Sequence, residues 1–259
     1  MSSKDICFVL PLYKPNPNWH HRFLEDVVKA RSIFPSSVSI EFVIVNDGFE
    51  TPELLNLFEV ISETDPSITF ISYPENRGKG YALRTGVENA SAPYVVLTDF
   101  DFPYEHENLL TMYRDLEKGY EVVAGKRNHT YYKKLPLKRW LISKACSWLN
   151  RNFLSLYVND TQSGIKAFNE VGKKAFLATT IDRFLIDTEF LQLVTYRNLR
   201  MKVNEVSLRD DVVFSNMGYA VLKTELKNFA QLVRQRRRFD REKNMPVVVQ
   251  TEQLSDVIA

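Results

Sequence analysis

Residues 94–103 read YVVLTDFDFP, and the fold class turns on how this stretch is read. A short, mostly apolar and partly β-branched run predicts a strand buried on both faces, as in a mostly parallel sheet. It stops abruptly at two aspartates, Asp99 and Asp101, which at i and i+2 of an extended chain point to the same side. In open α/β sheets, ligands bind at the carboxyl ends of the strands. Two adjacent carboxylates repel each other unless a cation neutralises them. Oxygen-only ligation suits Mg²⁺ or Mn²⁺, with phosphate oxygens completing the shell. A solvated acidic turn after a strand accounts for the same letters, so D-x-D alone leaves both readings open.

Outward from this stretch the pattern alternates. Strands are expected at 6–10, 40–45, 68–72, up to Asp99, and at 121–124. Between them, Phe23, Val27, Ala30 and Ile33 recur at helical spacing. Thr51-Pro52 reads as cap and first helical position, and further helices are expected at 81–90 and 105–117. This spacing predicts βαβ units and an α/β fold with a mostly parallel sheet flanked by helices. In the second half, 135–157 reads as one long helix or two, 159–164 as a polar turn, 184–196 as a helix and 201–206 as a strand. Residues 219–238 read as a basic helix, and the final twenty or so as a loose tail.

Composition narrows the class. The 259 residues are 44% hydrophobic and 25% charged, an ordinary globular balance. Lys+Arg 34 against Asp+Glu 32 leaves a formal charge of +2, which implies no nucleic-acid partner. Cys7 and Cys146 lack ligand or disulfide spacing, which fits two buried thiols in a reducing compartment. No apolar run approaches the roughly 18 residues needed to cross a bilayer, and no leader-like segment follows Met1. The expected location is cytoplasmic, peripheral at most at the inner face of a membrane.

Several strand ends carry polar groups that suit a nucleoside diphosphate: Pro11 and Tyr13, Asn46-Asp47-Gly48, the 77–80 loop, and Asp99 with Asp101. Asp47 can accept from a base or ribose, and the amides of 78–80 at a helix N-terminus can face an anion. Each feature alone is also explained as a turn glycine or a helix cap.

In order and spacing, the strings VLPLYK (9–14), VIVNDGFE (43–50), ENRGKGYALRTG (75–86) and LTDFDF (97–102) resemble the large family-2 type of inverting glycosyltransferase with the GT-A fold. VVAGKRN (122–128), DTQSGIKAFN (160–169) and RFLIDTEFL (183–191) look like the branch that makes dolichyl- or polyprenyl-phosphate sugars. The D-T-Q-x-G-x-K form is most similar to the dolichyl-phosphate glucosyltransferase subgroup. The resemblance runs over about 6–206. It implies a metal-dependent inverting hexosyltransferase domain at 1–215, followed by a basic helix and tail at 216–259. The donor would be a nucleotide sugar, UDP-glucose favoured, and the acceptor a polyprenyl-type phosphate.

Carried onto this chain, the resemblance puts Pro11, Tyr13, Asp47 and Lys79 in the nucleotide-sugar site. Asp99 and Asp101 hold the donor phosphates, Asp101 more directly through Mg²⁺ or Mn²⁺. Asp160 and Gln162 approach the donor sugar, while Arg127, Arg139 and Ser143 grip the acceptor phosphate. Lys166 reads as structural. Pro103 departs from the pattern, because it stands where the family often carries a glutamine that helps the metal.

Two other functions stay in view. A transferase extending a cell-surface glycan or lipid-linked oligosaccharide would need a general base, for which Asp160 or Asp187 are the candidates. A catalytically degenerate sugar-nucleotide-binding protein would account for Pro103. The plainer alternative for Asp187 and Glu189 is a helix terminus with a solvated face.

Residues 122–158 contain no Asp or Glu but eight Lys or Arg, interleaved with Trp140, Trp148, Phe153 and Leu154. That pattern describes either a solvated face or a segment lying in a membrane interface. The basic run at 223–238 is a second candidate for membrane-surface contact.

Overall fold

The computed structural model describes residues 4–128, 144, 148, 150–154, 156, 160, 161, 163–210, 212 and 219–244. β1 (Ile6–Leu12), α1 (Trp19–Ile33), β2 (Ile40–Asp47), α2 (Pro52–Thr64), β3 (Ile68–Tyr73), α3 (Lys79–Asn89), β4 (Tyr94–Leu97) and α4 (Glu107–Glu117) alternate as expected. There follow β5 (Val122–Arg127), a π-helical turn (Asn150–Leu154), β6 (Lys166–Phe168), α5 (Glu170–Leu177), α6 (Ile186–Tyr196), β7 (Met201–Val206) and α7 (Tyr219–Asn244).

The seven strands form one sheet in the order β3-β2-β1-β4-β6-β5-β7. β1 to β4 are parallel, β6 runs antiparallel between β4 and β5, and β7 is parallel to β5. Alternate residues of the buried strands feed two cores, one on each face. Ile6, Phe8 and Leu10 of β1 join Phe42 and Ile44 with Phe23, Val27, Phe58 and Met112 from α1, α2 and α4. Cys7, Val9, Val43 and Val45 face Leu83, Val87, Phe176 and Phe190 from α3, α5 and α6. Both faces are covered, so the strands read as continuous apolar runs rather than alternating ones.

The sheet reverses direction of winding at β1, which has β2 on one side and β4 on the other. β4 ends at Leu97, opposite Val9, so residues 10–12 of β1 pair only with β2. Pro11, lacking an N–H, sits beyond the point where β4 needs one. The gap opened there is the switch point at which ligands bind in such sheets.

Two elements are absent from the sequence expectation. β6 has three residues, too few to show a period. α5 carried a legible signal in Asn169, whose side chain accepts from Val171 N (2.9 Å) and Gly172 N (3.2 Å). The boundary at 215/216 lies outside the described residues. α7 packs onto the α/β body through the fully buried Leu232, beside Leu185 and Ile181.

The edge strand β7 is pinned by charge. Asp115 of α4 accepts from Lys202 (2.8 Å), Asn204 (2.8 Å) and Lys118 (3.0 Å). Burial alone would raise the Asp115 carboxyl, but these donors outweigh it and hold it down to about 2. A depressed carboxylate stabilises the fold above its unfolded pKa and loses that stabilisation as pH falls through the folded value. Asp115→Asn is therefore expected to cost about 2 kcal/mol near neutral pH, with the difference from wild type vanishing towards pH 2. Urea unfolding at pH 7 and pH 2.5 checks this; a pH-independent difference would contradict it.

Candidate donor site

Asp99 and Asp101 lie in a turn, not on the strand: Asp99 O accepts from Phe102 N at 3.0 Å. The expected strand through Asp99 is thus two residues too long, because the chain folds back once β4 has passed its partner. Convergence of the two carboxylates comes from this turn rather than from strand alternation. Phe102 completes it at φ +43 with its ring buried, a conformation costing a non-glycine residue about 1 kcal/mol or more.

Asp99 is paired with Lys79, the first residue of α3. Burial alone pulls the Lys79 ammonium down, but Asp99 and then Asp187 more than offset this and raise it. Asp101 is exposed and has no such partner among the described ion pairs. Loss of surrounding water, and then the Asp99 charge, push its carboxyl up. That is the donor chemistry of a hard-cation ligand: an oxygen whose ionisation an added divalent cation would favour. Among the described residues no three His, Cys, Asp or Glu side chains form a metal-holding group. A cation here would draw further ligands from a bound diphosphate and water.

Gly164 approaches Asp99 so closely that a Cβ would overlap Asp99 Oδ2. With Asp99 Oδ1 already on Lys79, the carboxylate cannot swing aside without breaking that pair. Gly164→Ala is expected to displace Asp99 and, for the reaction proposed below, to cost up to about 10²-fold in kcat/KM. An unchanged kcat/KM would show that Asp99 tolerates displacement.

Asp47, at the end of β2, is buried. Its oxygens accept from Tyr73 Oη (2.9 Å), Asn76 Nδ2 (2.8 Å), Arg77 N (2.8 Å) and Gly78 N (2.9 Å). These oxygens clamp the β3–α3 loop at the place expected to meet a base or ribose. Two of the three amides expected to face an anion have partners within the protein. The Gly78 amide is spent on Asp47, and the Gly80 amide on Asp182 O (2.8 Å). A Cβ at Gly78, which has φ +107, would strike that same Asp182 carbonyl. Arg183 Nη1 to Asn76 Oδ1 (2.9 Å) ties the 181–185 loop to the Asp47 clamp. Pro11 is half-buried and Tyr13 exposed beside the switch point, so both remain open to a ligand.

Deeper in the site, Arg127 and Asp160 form a two-pronged ion pair. Arg127 Nε donates to Oδ2 (2.8 Å), Nη2 to Oδ1 (2.5 Å), and the Arg127 backbone N also to Oδ2 (2.9 Å). The guanidinium placed on the acceptor phosphate, and the carboxylate weighed as a base, are thus each other's partners. Lys166 is buried and donates to Thr161 O (3.1 Å), Ser163 O (2.7 Å) and Asp187 Oδ1 (2.6 Å). It holds Thr161 and Ser163 against α6, the structural role expected of it.

Asp187 and Glu189 lie in the first turn of α6, and neither is solvated, which removes the plainer of the two alternatives. Glu189 accepts from Thr180 N (2.9 Å), Ile181 N (2.8 Å) and Gln235 of α7 (2.7 Å). Arg139, Ser143 and Gln162 lie outside the described residues. Tyr104 was missed: its Oη accepts from Gly164 N (3.0 Å) and lies 3.2 Å from Ser163 Oγ, linking the acidic turn to the same loop. Nothing in the sequence around it marked that pairing. Pro103 is buried, and its carbonyl accepts from Arg209 N (3.0 Å), so the position packs the turn.

A doubly wound, mostly parallel sheet with an acidic turn at the switch point defines a GT-A-type nucleotide-sugar fold. The chain belongs to glycosyl transferase family 2, whose family model matches residues 7–176. A dolichyl-phosphate beta-glucosyltransferase of Dictyostelium discoideum is 25% identical over 199 residues, covering 71% of this chain and 60% of that protein. Glycosyltransferase AglD of Haloferax volcanii is 27% identical over 235 residues, 85% of this chain and 37% of that one. The chain therefore spans less than two thirds of these curated relatives.

Among solved structures, glucosyl-3-phosphoglycerate synthase from Mycobacterium tuberculosis, in complex with Mn²⁺, UDP-glucose and phosphoglyceric acid, superposes with TM-score 0.60. It is 15% identical, and the match covers 91% of this chain and 80% of that one. Mannosyl-3-phosphoglycerate synthase from Rubrobacter xylanophilus gives TM-score 0.62 at 12% identity over 95% and 77%. These two support the fold.

Proposed function

We propose that this protein transfers a hexose, glucose favoured, from a nucleoside diphosphate sugar to a polyprenyl- or dolichyl-type phosphate with inversion at the anomeric carbon. The observation that carries the proposal is the acidic turn at the switch point, with Asp99 held by Lys79 and Asp101 in none of the described ion pairs. The name of the Dictyostelium relative supports the acceptor, and the UDP-glucose complex supports the donor.

Asp101 and Asp99 would hold Mg²⁺ or Mn²⁺, which when bound supplies Lewis-acid stabilisation of the leaving diphosphate. Lys79, kept charged by Asp99 and Asp187, adds fixed positive potential beside that diphosphate. Tyr13 and Pro11 border the space for the nucleoside. A phosphomonoester acceptor is largely dianionic at neutral pH, its second pKa being near 6, so it attacks without a general base. Its oxygen forms the new bond to the anomeric carbon as the bond to the donor's β-phosphate breaks, and the nucleoside diphosphate leaves. The pairing of Asp160 with Arg127, and of Asp187 with Lys166, supports a reaction that asks neither carboxylate to take a proton.

Incubating the protein with radiolabelled UDP-glucose, Mn²⁺ and polyprenyl phosphate in detergent should give a solvent-extractable labelled lipid, lost with chelator. Label passing only to sugar acceptors would favour the glycan-extending alternative. Absence of transfer to either, with UDP still bound, would favour the degenerate binding protein.

A lipid-phosphate acceptor also calls for proximity to a bilayer. No helix among the described residues is long and apolar enough to cross one. Support for surface contact comes from α7, where Lys227, Arg234 and Arg237 are exposed beside Leu226, itself 59% exposed. Trp148 and Phe153, with ring centroids 5.9 Å apart, are also exposed. Each basic side chain near an anionic surface contributes about 1 kcal/mol. Cosedimentation with phosphatidylserine vesicles at low salt, lost at high salt, is the expected result. Equal recovery in the supernatant with and without vesicles would count against membrane contact.

A further inference from the structure

Next to the acidic turn lies a cluster of charged groups around Asp26, to which the donor-site chemistry above gives no role. Asp26, in the middle of α1, is 1% exposed, and its Oδ1 accepts from Arg209 Nη1 at 2.6 Å. Arg22 Nε lies 3.8 Å from Asp26 Oδ2, and His106 Nε2, without a hydrogen bond of its own, lies 3.5 Å from Oδ1. Asp26 and Arg209 are 183 residues apart in sequence, and neither falls in a recognisable motif.

Arg209 reaches back to the turn itself. Its backbone N donates to Pro103 O at 3.0 Å, and its Nη1 lies 3.5 Å from Phe102 O. An antiparallel bridge between Tyr104 and Leu208, and Glu105 N to Ser207 O at 3.0 Å, continue the same seam. The residues on either side of Asp101 are therefore both fixed. Phe100 stacks on Phe23 of α1, with centroids 4.9 Å apart and planes at 14°, and meets Trp19 edge-on at 5.1 Å. Phe102, at positive φ, stacks on His106 at 5.7 Å and 14°. Asp101 projects from a turn clamped from below through these two rings and one ion pair.

A buried ion pair is costly to desolvate, and apolar replacements of similar volume commonly give an equally stable fold. Stability therefore does not account for Asp26 and Arg209 at this place. We propose that the Asp26–Arg209 pair is a positioning pair for Asp101: it sets the direction in which that carboxylate meets the divalent cation and the donor diphosphate. Outer-sphere groups commonly act on a metal site in this way, by fixing the orientation of the ligand. The inference rests on the donor-site proposal above and adds two residues to it.

The test uses three proteins: wild type, Arg209→Lys, and the double variant Asp26→Leu/Arg209→Met, which removes both charges at nearly constant volume. UDP binding is followed by calorimetry across a Mn²⁺ series, with Tm measured alongside. The double variant is expected to melt close to wild type, yet to need on the order of tenfold or more Mn²⁺ for half-maximal UDP binding. Arg209→Lys keeps the charge without the planar fork, and should fall between the two.

A folded double variant with wild-type Mn²⁺ dependence would overturn the proposal and leave the pair a simple staple. If the double variant does not fold, Arg209→Lys decides: an unchanged Mn²⁺ dependence overturns the proposal and a shifted one supports it. Wild type that binds no UDP with any cation would sink the donor-site reading, and this proposal with it. Wild type that binds, with no difference among the three, sinks this proposal alone.

Discussion

Asp101→Asn is expected to raise the melting temperature of the ligand-free protein and to abolish its stabilisation by UDP-glucose with Mn²⁺. Both effects come from one feature. In the fold, loss of surrounding water and the neighbouring Asp99 charge push the Asp101 carboxyl up from its ordinary value. A raised acid is one whose ionised form the fold disfavours, so above its folded pKa the charge subtracts from stability. Asparagine keeps the shape and removes the charge, and the gain disappears as pH falls below the raised value.

Cation binding needs that same charge. Donor at one hundred times its dissociation constant adds roughly 2.7 kcal/mol, a shift on the order of 5–10 °C for a domain of this size. The variant should show none of it. Transfer, where measured, should fall about 10²–10³-fold, the usual cost of removing one electrostatic stabiliser from a reacting centre. A thermal-shift series with UDP-glucose and Mn²⁺, Mg²⁺ or chelator reads both effects. A wild-type-sized shift in Asp101→Asn would remove this residue from the cation site.

Lys166→Met is expected to be the most destabilising single change in the site. The ammonium is enclosed by two carbonyls and the Asp187 carboxylate, all within 3.1 Å, and the side chain is almost wholly buried. Methionine fills the volume but leaves a carboxylate and two carbonyls buried without their donor. Breaking a buried pair from one side costs about 3–5 kcal/mol, which corresponds to roughly 6–20 °C in Tm. Adding Asp187→Leu to the same chain should recover part of that loss, since the orphaned charge is then gone. A Tm within a degree or two of wild type would mean that water replaces the lysine.

The α/β class was legible because the alternation of apolar runs and helical periods extends through 6–117, where β1, β2 and β4 are buried on both faces and only the edge strand β3 is partly exposed. The cap at Thr51 was legible because its mechanism is local: its side chain accepts from Leu54 N at 3.2 Å, within one turn. β6 was illegible for the opposite reason. Three residues carry no period, and their pairing with Val95–Leu97 and Val122–Ala124 depends on neighbours far along the chain. Asp47 shows how a motif places a residue without giving its contacts. The motif put it at the end of β2, but that its oxygens are taken by residues 73–78 follows only from the path of the loop.

By itself the sequence determined six of the seven strands, where the acidic pair stands in chain order, and the family to which seven collinear strings point. Those properties rest on local propensity, burial pattern and spacing, all of which are written in consecutive residues. Only the tertiary structure decided which charges meet. Lys79 pairs with Asp99, Arg127 with Asp160, Lys166 with Asp187, and Arg209 with Asp26. A charge in a low-dielectric interior must find an opposite partner, and which one lies within reach is set by how the sheet and its helices pack. Asp101 takes part in none of the described ion pairs, though the charges of Arg22 and Lys79 act on it.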